Sequence, residues 1–100
     1  MNFGKAIEAL KEGKCIHRSG WNGKGLFVCK QVPSEISSVI IPKMQSLPDK
    51  AKELLLQGEE KDSPIFYVNQ MIIINTNTRT INSWVPSSSD VFAEDWEIIE

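Results

Sequence analysis

Two of the chain's three tryptophans bracket one stretch, Trp84-Val85-Pro86-Ser87-Ser88-Ser89-Asp90-Val91-Phe92-Ala93-Glu94-Asp95-Trp96. Its residue types are those that hold an anion beside a flat ring. Pro86-Ser87 reads as a helix entry, with Ser87 as N-cap and Asp90 at capping-box spacing. The first turn of such a helix carries unpaired N–H groups and partial positive charge, so Ser87, Ser88 and Ser89 can meet a phosphate or a carboxylate. Trp84, just before that turn, offers an apolar stacking face. A base-stacking ring next to an anion-binding turn suits a nucleotide. The alternative is structural: Ser87 caps a surface helix and both tryptophans belong to the core.

A second stretch, Ser19-Gly20-Trp21-Asn22-Gly23-Lys24-Gly25, holds three of the six glycines. Asn22-Gly23 is a strong turn signal. Trp21 has no bulky sequence neighbour, so it reads either as a ligand surface or as a lid over one end of the core. Arg18 and Lys24 flank it and either meet an anion or stay as solvated charge. The glycines do not make a phosphate loop, because no Gly-Lys-Ser/Thr follows them.

The surrounding elements must position these residues. Asn2 caps a helix whose apolar stripe is Phe3, Ala6, Ile7 and Leu10, and Gly13 ends it. Residues 14–18 and 26–32 read as strands, and Glu35 to Ile41 as a further short strand closed by Pro42. A second helix starts at Ser46-Leu47-Pro48-Asp49, ends before Gly58 and carries Leu47, Ala51, Leu54 and Leu55 on one face. Ile65 to Val68 is a strand. Met71 to Ile74, wholly apolar, reads as a central strand that turns at Asn75-Thr76-Asn77-Thr78 into a hairpin partner, Arg79 to Trp84. The short helix and a last strand, Trp96 to Ile99, complete an α+β fold. It has a small, mostly antiparallel sheet, an N-terminal helix, a middle helix and a short helix before the C-terminal strand.

One hundred residues suit a single domain with a modest core. The formal net charge of −2 argues against binding polymeric nucleic acid, which needs a broad basic surface, but leaves room for a small anionic ligand. No apolar run approaches the roughly twenty residues of a membrane span, and the start lacks a signal-peptide pattern. Cys15 and Cys29 read as small core residues of a reduced protein; a disulfide would require their strands to pair. The one histidine, His17, has no second histidine or Cys-x-x-Cys to join in a metal site or a nucleophilic triad. Glu94 and Asp95 are adjacent and point apart, which disfavours a shared acid/base role. The residues therefore point to binding rather than catalysis, with no cofactor and no metal.

Four blocks carry more than composition: Asn2-Phe3-Gly4 with its helix, Arg18-Ser19-Gly20-Trp21-Asn22-Gly23-Lys24-Gly25, Ser83-Trp84-Val85-Pro86-Ser87-Ser88-Ser89-Asp90, and Ala93-Glu94-Asp95-Trp96-Glu97-Ile98. In this order they resemble the Thoeris anti-defence 2 family of phages and prophage-bearing bacteria. The resemblance implies an immune-evasion protein in the cytoplasm of the infected host cell. It would bind and sequester, without cleaving, the Thoeris second messenger, a glycosylated cyclic ADP-ribose isomer; some members also hold cyclic oligonucleotides of cyclic-oligonucleotide-based defence. It further implies a homotetramer, a dimer of dimers with pockets at subunit interfaces, and marks Pro42 to Asp62 as an insertion within the single domain, residues 1–100. Trp21, Asn22, Trp84 and Ser87 to Asp90 match the blocks that line the family's messenger pocket. With Arg18, Lys24 and Pro86 from the motif reading, they are the candidate ligand-binding residues. Two other classes remain open: a messenger-hydrolysing enzyme using Glu94-Asp95, and a protein–protein module anchored by Trp21.

Overall fold

The computed structural model describes residues 1–21 and 25–100. The chain forms two compact units, residues 1–32 with 69–100, and residues 33–68.

The first unit begins with helix α1, Phe3–Lys11. The Asn2 side chain accepts a hydrogen bond from the Lys5 N–H at 2.9 Å, which satisfies one of the donors a helix start leaves orphaned. At the other end Gly13 adopts φ +87°. There the Gly13 N–H bonds Leu10 O and the Lys14 N–H bonds Ala9 O, each at 3.0 Å. That pair of bonds is a Schellman cap, and it needs a residue tolerant of the left-handed region.

Five antiparallel strands follow. They are β1 (Cys15–Arg18), β2 (Leu26–Lys30), β5 (Met71–Asn75), β6 (Thr80–Ser83) and β7 (Trp96–Ile99), in the order β6-β5-β2-β1-β7. Register places Ile98, Ile16, Val28 and Ile73 in one row across four strands. Ala6, Ala9 and Leu10 of α1 cluster with Ile16, Val28 and Trp96 to form the core. Burying each Leu- or Ile-sized side chain there contributes about 1.5–3 kcal/mol. The β5–β6 turn is tied by the Asn75 side chain, which accepts from the Asn77 and Thr78 N–H groups at 2.9 and 3.3 Å, a local Asx turn. As its apolar run predicts, β5 is an interior strand, lying between β2 and β6. Cys15 and Cys29 are free thiols, and burial pushes the Cys29 thiol pKa up, helped by the neighbouring Cys15.

The second unit holds a two-stranded antiparallel sheet, β3 (Ser34–Ile36) with β4 (Ile65–Tyr67), a short 3-10 helix at Ile41–Lys43 and helix α2, Asp49–Leu55. The expected insertion, Pro42 to Asp62, falls inside it. The strand expected over Glu35 to Ile41 is cut short here. The Ile40 N–H bonds Ser37 O at 2.9 Å, and the Ser37 hydroxyl accepts from the Val39 N–H at 3.3 Å. A serine turn thus outcompetes the β preference of Val39-Ile40-Ile41, and Ile41 then starts the 3-10 helix with Pro42 in its first turn. Helix α2 starts at Asp49, after Pro48, which gives no side-chain cap. Its expected apolar face is not packed away: α2 has no buried residue, and Leu54 is 59% exposed. Apart from these two segments, the α+β class and the mostly antiparallel sheet are as the sequence predicts.

Candidate functional site

The first unit brings all three tryptophans together. Trp21 follows the end of β1, Trp84 follows β6 and Trp96 opens β7. Ring centroids lie 5.4 Å apart for Trp21 and Trp96, 6.1 Å for Trp84 and Trp96, and 6.4 Å for Trp21 and Trp84. All three pairs are edge-to-face. Such pairs contribute about 0.5–1.5 kcal/mol each beyond burial. Trp96 is buried and also meets Phe3 of α1 at 5.5 Å. Trp21 and Trp84 are half-buried, so each rests on the core and still presents surface. Sequence neighbours gave Trp21 nothing bulky to pack on; the sheet supplies Trp84 and Trp96.

Helix α3, Ser88–Phe92, starts as its motif predicts. Ser87 Oγ accepts from the Asp90 N–H at 3.1 Å, while Asp90 Oδ2 accepts from the Ser87 N–H and hydroxyl, each at 2.9 Å. The first intrahelical bond runs from the Val91 N–H to Ser87 O, so the Ser88 and Ser89 N–H groups precede the ladder. The Trp96 indole N–H donates to Asp90 O at 2.9 Å, which locks the short helix to the aromatic trio. Ser87, Ser88 and Ser89 are exposed, and Pro86 is half-buried.

Arg18, read from the sequence as meeting an anion or staying as solvated charge, meets two acids of its own chain. Its Nε donates to Asp95 Oδ1 at 2.9 Å and its Nη1 to Asp90 Oδ1 at 3.0 Å. Asp95 Oδ2 also accepts from the Gly20 N–H at 3.0 Å. Arg18 hydrogen bonding, reinforced by Gly20, holds the Asp95 pKa below the usual carboxylate value against a smaller opposing effect of burial. Burial pushes the Asp90 pKa up, but the Ser87 hydrogen bonds and Arg18 together outweigh it, and the net shift is downward. The Asp95 and Asp90 hydrogen bonds raise the Arg18 pKa still further. Asp95 is the site residue that sequence reasoning missed as a structural partner. Its neighbour Glu94 is exposed, so the acid pair in the sequence is split in space. Asn22 and Lys24 lie outside the described residues.

The family model for the Thoeris anti-defense 2-like domain matches residues 1–99. The chain belongs to that family. A relative, Thoeris anti-defense 2 of Bacillus phage SP01, is 37% identical over 99 residues, covering 99% of this chain and 94% of its own length. Membership supports a phage anti-defence role directed at Thoeris, and the family name denotes no enzymatic activity. Among the described residues, no helix is long and apolar enough to cross a membrane. No group of three or more His, Cys, Asp or Glu among them is arranged to hold a metal ion.

Proposed function

We propose that this protein binds and sequesters, without cleaving, the nucleotide second messenger of host Thoeris defence, a glycosylated cyclic ADP-ribose isomer, in the cytoplasm of the infected cell. Cyclic di- and trinucleotides of cyclic-oligonucleotide-based defence are further ligands in this reading. The observation that carries it is the family match over residues 1–99, together with two half-buried tryptophans beside a serine-rich turn. Trp21 and Trp84 stack the base, which contributes about 1–3 kcal/mol for each stacked base. The N–H groups of Ser88 and Ser89, which precede the helical ladder, meet phosphate, with the Ser87 turn and Pro86 shaping the wall. Asp90 serves the turn as the third helical residue of its capping box, opposite the Ser87 cap. Asn22 and Lys24 complete the ligand contacts from the loop.

Holding rather than turning over the ligand is supported by the acids. Glu94 is exposed, and the lowered pKa of Asp95 in its pair with Arg18 makes it a weak base at neutral pH. Assembly as a homotetramer with pockets shared between subunits is part of the proposal. Val85 and Phe92, on either side of the Ser87 turn, stand 81% and 82% exposed, and exposed apolar groups of this size are what a subunit contact covers. The test is calorimetry with the cyclic ADP-ribose isomer, followed by denaturation and chromatography of the supernatant. Binding with full recovery of intact ligand is the expected result. A new nucleotide species would replace sequestration by hydrolysis. No binding of any cyclic nucleotide would favour a protein–protein module.

A further inference from the structure

Each acid around Arg18 divides its two oxygens. Asp95 gives Oδ1 to the Arg18 Nε and Oδ2 to the Gly20 N–H, next to Trp21. Asp90 gives Oδ1 to the Arg18 Nη1 and Oδ2 to Ser87, three residues from Trp84, while its backbone oxygen holds the Trp96 indole. Arg18 O also accepts the Trp21 N–H at 3.1 Å, and Asp95 O accepts the Ser19 N–H at 3.1 Å. One guanidinium thus joins three segments, each carrying one ring of the trio. Its side chain is 22% exposed, with Asp90 at 12% and Asp95 at 31%. Two carboxylates on one cation leave the cluster with a negative excess, which does not attract a phosphate.

We propose that Arg18 is a positioning residue: by bridging Asp90 and Asp95 it sets the mutual angles of Trp21, Trp84 and Trp96, and it does not contact the ligand. This rests on the binding reading above. A planar fork whose Nε and Nη1 point to different carboxylates suits the task, and a lysine ammonium lacks that fixed geometry. Gly20 gives an independent handle on the same cluster. A Cβ built there would stand 2.9 Å from Asp95 Oδ2, so Gly20→Ala displaces the carboxylate without removing any charge.

The experiment compares the parent, Arg18→Met, Gly20→Ala, Trp21→Ala and the Arg18→Met/Trp21→Ala double variant. Near-UV circular dichroism without ligand reads the tryptophan geometry, and calorimetry with the cyclic ADP-ribose isomer reads binding. Arg18→Met and Gly20→Ala should each lose the parent's near-UV tryptophan signature while keeping the far-UV spectrum. Arg18→Met should weaken binding about tenfold, within the range of one stacked base. In the Trp21→Ala background the same change should cost less than about threefold, because residues acting through each other are not additive. An unchanged near-UV spectrum with lost binding would make Arg18 a direct ligand contact, as would additive losses. If Arg18→Met does not fold, Gly20→Ala decides by the same two readings. If the parent binds no cyclic nucleotide, the sequestration reading fails, and the ligand-free spectra still decide the role of Arg18.

Discussion

Replacing Trp84 by alanine separates packing from stacking. The ring meets Trp21 and Trp96 edge-on at 6.4 and 6.1 Å. Two such pairs together contribute about 1–3 kcal/mol beyond burial. For a domain of this size each kcal/mol moves Tm by roughly 4–8 °C, so the variant should stay folded at 25 °C and melt clearly earlier than the parent. Messenger binding should weaken by more than about tenfold, or 1.4 kcal/mol, because alanine offers no stacking face. Trp84→Phe keeps a ring and should recover part of both losses. Differential scanning calorimetry and titration calorimetry on the same samples measure the two effects. A Trp84→Ala protein that binds like the parent would refute the stacking argument. One that melts like the parent would refute the packing argument.

Ser87→Ala removes the cap of α3 and two of the bonds within the Ser87–Asp90 box; it should cost about 1 kcal/mol in chemical denaturation. Gly13→Ala meets no atom within 4 Å but forces φ +87° on a residue with a Cβ, so it should cost about 1–2 kcal/mol from backbone strain alone. The depressed pKa values of Asp90 and Asp95 make their contribution fully present above the ordinary carboxylate pKa of about 3.9. It should be lost as pH falls from there through the lowered folded values. A melting profile against pH should therefore be flat with respect to this cluster near neutrality and fall in acid, and the fall should shrink in Asp95→Asn.

What the sequence made legible was local. Asn2 and Gly13 bound α1, and Ser87 with Asp90 opens α3, because each signal lies within a few residues of the bonds it forms. The remaining features lay where a side chain competed with the backbone pattern, which cut the expected strand short, or where the partner was distant and no expectation could be formed. Ser37 diverted Val39-Ile40-Ile41 from a strand. Arg18 finds Asp90 and Asp95 across separations of 72 and 77 residues, which no spacing rule reaches. The Trp84–Asp90 motif had two readings, cap or ligand site. The capping box is present, and it leaves the Ser88 and Ser89 N–H groups outside the helical ladder.

Stoichiometric sequestration demands tight binding, and a small chain has limited means for it. Nanomolar affinity needs about 12 kcal/mol net. Stacking the base contributes about 1–3 kcal/mol, and association itself is costly. Because Arg18 is neutralised by its own acids, attraction of phosphate by that cation does not close the gap. In the proposed assembly a second subunit would close it, by adding contacts and excluding water, which would join affinity to assembly. Phe92, on the short helix beside the turn, is the residue to change, since its 82% exposure means the isolated chain gains little from it. Phe92→Asp should leave the monomer's far-UV spectrum and core intact. If Phe92 lies in the subunit contact, a buried unpaired carboxylate would break that contact. The expected result is a smaller mass by light scattering and messenger binding weakened by more than about tenfold. A Phe92→Asp protein with the parent's mass and affinity would show that the shared pocket does not run through this face. The required binding energy would then have to come from within one chain.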